Sequence, residues 1–188
     1  MASPRCTRPH PAADNRMPAV THCPLPSGAL LGRYTGTGYV DCFTATVGRG
    51  VSHAEFVEAF YTGGIFKLER WILALMVARP STDDEARQLA AGARADFAAW
   101  RVEDRAADQV LMCGMAGRTR SWLMVSAEGA ATRLYFGSAV VRGKRQSDAK
   151  PGMGIAFTAL LGFHKMYSRV LLGATHARLA SSRDRRSP

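Results

Sequence analysis

Four short extended runs crowd into residues 97–143: "FAAWRVED" (97–104), "DQVLMCGM" (108–115), "RSWLMVSA" (120–127) and "TRLYFGSAVVRG" (132–143). Only the turn-like "RAA", "AGRT" and "EGAA" part them. Parallel neighbours need a crossover of a dozen or more residues, so strands this close in sequence must run up and down as an antiparallel meander. A fifth run, "GYVDCFTATVG" (38–48), has the β-branched and aromatic content of a first strand and is bounded by glycines.

Helices fill the space before and after the meander. In "VSHAEF", Ser52 and Glu55 have capping-box spacing, and Val51 and Phe56 that of a hydrophobic staple. The helix they begin stops at Gly63-Gly64 and buries a stripe of Phe56, Val57, Phe60 and Tyr61. A second, "IFKLERWILALMVAR", spans 65–79 and is halted by Pro80. Thr82 and Glu85 repeat the capping-box spacing for a third helix, which Gly92 ends. Beyond Pro151-Gly152 a helix of about 25 residues closes the domain. The fold class is therefore α+β: an antiparallel sheet, two or three short helices after its first strand, and a long C-terminal helix over one sheet face.

That last helix carries an unusual pair. Advancing about 100° per residue places Phe163, Val170, Ala156, Tyr167, Leu160, Leu171, His164 and Phe157 on one arc. Lys165, Arg169, Thr158 and His176 fall on the opposite side. Tyr167 lies near the arc's centre and His164 at its edge. Two polar tips on the core side need hydrogen-bond partners, either nearby backbone or a solvated or ligand-filled space. In the 65–79 helix, Glu69 falls among Ile65, Phe66, Ile72 and Met76 rather than with Lys67 and Arg70. A carboxylate there needs a partner such as Arg101, Arg120, His164 or Tyr167, as a salt bridge or as half of an acid–base pair.

Charge narrows the partners. The net charge is +10, but the tails and the loop "RGKRQSDAK" (142–150) hold most of it, leaving the body only +2. A nucleic-acid or anionic-surface site would have to use that loop and the tails. Residues 1–27 hold six prolines and no continuous apolar segment, so they read as a disordered tail and not as a signal peptide. Met17 offers an alternative start, and residues 179–188 read as a second, basic tail around a single domain of 28–178. With no membrane-spanning run, the expected compartment is the cytoplasm. Cys6, Cys23, Cys42 and Cys113 are widely spaced and form no Cys-x-x-Cys, which fits free thiols in a reduced compartment.

Motifs for chemistry are sparse. There is no Walker A sequence, no His-Glu-x-x-His and no Gly-x-Ser-x-Gly, so nothing calls for a metal or a nucleotide cofactor. Ser147 and Lys150 have Ser-x-x-Lys spacing, but in a polar loop. Trp100, Trp122 and Tyr135 read as core or pocket rings, because the strands that carry them are apolar on both faces.

The order of elements, with "FKLERWILAL", "SWLM", "TRLYFGSAVV" and "FHKMYSRVLL", resembles a bacterial branch of the helix-grip superfamily, across roughly residues 38–176. That superfamily includes the START lipid-transfer domains, the birch-pollen-allergen-like proteins and the polyketide cyclases. The resemblance implies a hydrophobic cavity between a curved sheet and the final helix, and carries no functional residue across. Five strands are legible, fewer than such folds usually have.

The leading expectation is a domain that binds an apolar or lipid-like small molecule. Trp100, Met112, Trp122, Tyr135, Leu160 and Leu171 would line the pocket, with Tyr167, His164 and Glu69 supplying its polar groups. The rivals are a cyclase- or isomerase-type enzyme using Glu69 or His164, and an anionic-surface or nucleic-acid binder using 142–150.

Overall fold

The computed structural model describes residues 20–64, 81–114, 117–141 and 153–181, the last stretch with side chains from Met166 onward. The expected 65–79 helix, Glu69 and the basic 142–150 loop therefore lie outside the described residues, as do the side chains of Leu160 and His164. The elements run β1 (Thr21–His22), a 3-10 helix (Leu30–Tyr34), β2 (Gly38–Val47), α1 (His53–Tyr61), α2 (Asp83–Ala90), β3 (Asp96–Phe97), β4 (Trp100–Ala106), β5 (Gln109–Gly114), β6 (Thr119–Glu128), β7 (Ala131–Val141) and α3 (Met153–Ser181).

The strands form one curved antiparallel sheet in the order β1-β2-β7-β6-β5-β4-β3. The meander is as expected, and its last strand closes against β2, the first long one, from Gly38↔Val141 to Val47↔Thr132. Seven strands stand where five were legible. "FAAWRVED" is not one strand but a tight hairpin: Phe97 pairs with Trp100 around Ala98-Ala99, and Ala98 takes φ +51°, a region that favours glycine. The other added strand, β1, lies within the stretch expected to be disordered. Thr21 and His22 pair with Thr44 and Phe43, so the sheet takes in part of residues 1–27.

Both helix starts fold as their spacing predicts, with one difference. Thr82 and Glu85 make the reciprocal capping box. Ser52 accepts from the Glu55 amide at 3.1 Å, but the Glu55 carboxylate turns away to Arg49, at 2.7 Å. Arg49 in turn donates to the Leu179 carbonyl at 2.9 Å, tying the start of α1 to the last turn of α3.

Strand alternation gives the sheet two faces. On one, Phe43, Ala45, Val47, Val110, Met112, Leu123, Leu134 and Phe136 pack against α1, α2 and the C-terminal half of α3. The α1 stripe of Phe56, Val57, Phe60 and Tyr61 is buried there as expected. Residues 23–37 cross the opposite face as a strap, and Leu31 packs on Cys42, Leu111, Trp122 and Ala139. Strands apolar on both faces cannot leave one in water, and the strap is what covers the second.

The long C-terminal helix is present, but the face it buries differs from the expected arc. Ser168, Leu171, Leu172, Thr175 and Leu179 are buried, while Val170 is 47% exposed. Tyr167 packs at the margin of the core, not at its centre. From Met166 onward the buried line is rotated by about 85° from the one hydropathy selects. Small hydroxyl residues suit close packing, and Thr175 returns its hydroxyl to the Leu171 carbonyl at 2.8 Å, so burying it costs little. Among the described residues no helix is long and apolar enough to cross a membrane.

Candidate functional site

The core face of the sheet is not uniformly apolar. Its central rows, Phe43–Phe136–Leu123–Val110 and Ala45–Leu134–Val125, are hydrophobic. One step toward the Gly38 end, the row Asp41–Ser138–Ser121–Met112 crosses four adjacent strands in direct register. Asp41 is 3% exposed, Ser138 2% and Ser121 7%. Three polar side chains in a row, each within one strand spacing of the next, therefore lie buried on the face that carries the main core.

Asp41 is the hub. Its Oδ1 accepts from the Ser138 amide at 3.2 Å and from the Ser138 hydroxyl. The Tyr39 hydroxyl donates to Oδ2 at 3.1 Å. Two residues apart on one strand, Tyr39 and Asp41 point to the same side. Burial and the neighbouring Asp41 charge push the Tyr39 phenol well above its ordinary range, so it is held as a donor. Among the described residues no Lys, Arg or His forms an ion pair with Asp41. Polar hydrogen bonds offset part of the desolvation of a buried carboxylate; a cation or a ligand donor would offset more.

Beyond this row, the next one runs Tyr39–Val140–Thr119 and reaches Gly114 and Trp100 at the far edge. A cleft of about 610 Å³ opens there, lined by Trp100, Arg101, Cys113, Gly114 and Gly117 with the β3–β4 hairpin. Gly114 is needed at this edge, since a Cβ would lie 2.5 Å from Thr119 Oγ1. The strained Ala98 turn stands on the cleft's rim.

The expected pocket residues divide between the two faces. Trp100, Met112, Tyr167 and Leu171 join the core-face cluster. Trp122 and Tyr135 pack on the strap side, because the register sets Leu111, not Met112, opposite Trp122. Trp122 is fully buried, and its indole N–H donates to Gln109 Oε1 at 2.8 Å. It is a fastening for the strap, and no one pocket can hold all six rings and apolar side chains. Arg120, considered as a partner for Glu69, also lies on the strap side: it pairs with Glu103 at 2.6 Å and stacks 4.7 Å above the Tyr34 ring. Among the described residues no group of three or more His, Cys, Asp or Glu could hold a metal ion.

Comparison of the chain with protein-family models, with curated proteins and with solved structures found no match.

Sequence reasoning missed Asp41, Ser138, Ser121 and Tyr39. One signal was legible: an aspartate in mid-strand of "GYVDCFTATV", on the same parity as Phe43, Ala45 and Val47. A charge at an inward position of an otherwise apolar strand is the strand counterpart of the expectation made for Glu69 from helical spacing.

Proposed function

We propose that the chain binds an apolar small molecule whose polar end carries hydrogen-bond donors, held by Asp41 and its hydroxyl neighbours on the core face of a helix-grip-like fold. The observation that supports it is the buried Asp41 carboxylate, fed by Ser138 and Tyr39 but paired with no cation among the described residues. Phe43 and Phe136, the adjoining row on the same two strands, supply apolar surface beside it. This is the composition of a small-molecule site: mostly hydrophobic, with a few convergent polar groups. Burying about 300 Å² of ligand would contribute roughly 7 kcal/mol before association costs of at least about 4 kcal/mol, so affinity better than about millimolar has to come from the polar end. A carboxylate acceptor selects a ligand with an ammonium or hydroxyl end over one with an acid.

Native mass spectrometry of freshly purified protein tests the reading by seeking a co-purified hydrophobic compound. A thermal-shift series of matched alkyl amines, alcohols and carboxylic acids tests the polarity. Stabilisation by the amines and alcohols is expected; stabilisation by the acids alone, or by none, overturns the proposal. The cytoplasmic setting belongs to the same proposal.

One observation favours a second reading, an acid–base enzyme. Asp41, Tyr39 and Ser138 form a carboxylate–hydroxyl cluster of the kind that moves protons between a base and a positioned donor. In that case Asp41→Asn would abolish turnover while leaving ligand affinity nearly intact, the opposite of what a binding site requires.

A further inference from the structure

Cys23 and Cys42 face each other across the junction of the strap and β2. The Cys23 amide donates to the Cys42 carbonyl at 3.0 Å, and the register Thr21↔Thr44, His22↔Phe43 carries forward to set the two cysteines directly opposite. Their sulfurs are 3.4 Å apart. Directly opposed residues of an antiparallel pair have Cα atoms about 4.5–5.5 Å apart, inside the roughly 4.4–6.8 Å that a disulfide spans. Cys113 cannot compete for either sulfur, because β5 lies three strands from β2, roughly 14 Å away.

We propose that Cys23 and Cys42 are a reversible disulfide site that staples the N-terminal strap to the sheet. The two thiols are unequal. Cys42 is 1% exposed, and burial, with Cys23 and Asp41 beside it, holds its thiol far above the ordinary range. Cys23 is only half-buried and is the one an oxidant meets first. With a peroxide as oxidant, the Cys23 thiolate attacks one oxygen, the O–O bond breaks, and the departing hydroxide takes up a proton and leaves as water. Cys23 is then a sulfenic acid. The Cys42 sulfur attacks it, an S–S bond forms as the S–O bond breaks, and the hydroxyl leaves as a second water with the Cys42 proton. Two thiols lose two electrons and one peroxide becomes two waters. A small dithiol reverses the step by exchange.

The loop so closed contains the 3-10 helix Leu30–Tyr34, whose Leu31 seals the strap face against Trp122. Closing it restrains the unfolded chain and holds the strap down, so the oxidised protein is expected to melt about 5–10 °C higher than the reduced one.

The test treats the full chain with hydrogen peroxide, blocks remaining thiols by alkylation and maps the peptides. Expected are a Cys23–Cys42 cross-linked peptide, loss of both alkylation sites together, reversal by dithiothreitol and the rise in melting temperature. Cys23→Ser should abolish the link and the rise, while Cys113→Ser leaves both. Sulfinic acid on Cys23 with Cys42 still alkylated would overturn the site, as would a link through Cys6 or Cys113. A linked form that melts no higher would overturn the staple.

Discussion

Gln109 and Asp41 are both buried polar side chains of the same sheet, pointing to opposite faces, and they answer for their burial differently. Gln109 is neutral and its partners are structural. Its Oε1 accepts from the Leu30 amide at 2.9 Å and from the Trp122 indole at 2.8 Å, while Nε2 donates to the Gly28 carbonyl at 3.1 Å. Each bond ties strap to sheet or fixes the ring beneath the strap. Asp41 is charged, and its donors come from its own strand and the next, so it joins no two elements that β-pairing does not already join. A polar group that fastens a cover has a structural reason to exist. One that fastens nothing needs another, and ligand binding is the reason proposed above.

The largest effect should come from breaking the fastening. Gln109→Leu leaves the Leu30 amide, the Trp122 indole and the Gly28 carbonyl without their partner in a dry interface, and each such loss costs about 1–3 kcal/mol. A loss of about 3 kcal/mol in urea unfolding is expected, roughly a 10 °C drop in melting temperature. A change under about 1 kcal/mol would mean that apolar packing by Leu31 holds the strap unaided.

Next in size is Gly137→Ala. A Cβ there would meet Leu31 Cδ2 at 2.6 Å and Trp122 Cε3 at 2.9 Å, and both side chains are fully buried. Overpacking of this kind costs about 1–3 kcal/mol. The two closest contacts are on the strap side and the third, at 3.0 Å, is the Asp41 carbonyl oxygen, so stability should fall further than ligand affinity. Equal damage to both would show that the two faces are not independent.

The same contrast explains what the sequence could and could not disclose. Strands announce themselves through Val, Ile, Tyr, Phe and Trp between turn residues, and capping boxes through four-residue spacing, so the meander and the starts of α1 and α2 were legible. Pairing partners for a two-residue strand such as β1 carry no such signal; Thr21 and His22 pair because β2 offers them an edge. Sidedness was harder still. Hydropathy alone could not tell that Trp122 and Met112 look opposite ways, because the register that decides it depends on strands β5 and β6 aligning Leu111 with Trp122. On α3, small hydroxyls displaced Val170 from the core for reasons of shape. Asp41 was readable in parity, but a two-residue alternation marks an inward position less sharply than the helical spacing that singles out Glu69 and His164.

A smaller effect separates the helix side by pH. His53 opens α1 and is 8% exposed, with its Nε2 unpartnered among the described residues. Burial, and after it the nearby Arg105 charge, lower its pKa below the ordinary imidazole value of about 6.5, against the raising pull of a Leu123 backbone hydrogen bond and Asp108. The unfolded chain therefore takes up a proton near pH 6.5 that the folded chain refuses. Stability from this group is full above that pH, declines as pH falls below it, and levels off beneath the folded pKa. Melting curves from pH 8 to 5 should fall less steeply for His53→Phe than for the parent chain; parallel curves would mean that His53 is protonated as readily when folded.

The smallest stability effect, and the sharpest test of the comparison, is Asp41→Asn. The Ser138 amide and hydroxyl can still donate to the retained Oδ1, and the Tyr39 hydroxyl can rotate to accept from the new amide. A charge is removed that no described cation pairs with, so the desolvation recovered offsets the weaker hydrogen bonds. Unfolding free energy should stay within about 1 kcal/mol of the parent, while affinity for an alkyl amine falls at least about tenfold with the loss of a charge-assisted contact. The pairing with Gln109 makes both halves necessary. A variant that unfolds as readily as Gln109→Leu would make Asp41 a second fastening, and the buried row beneath it a piece of architecture with no pocket to serve.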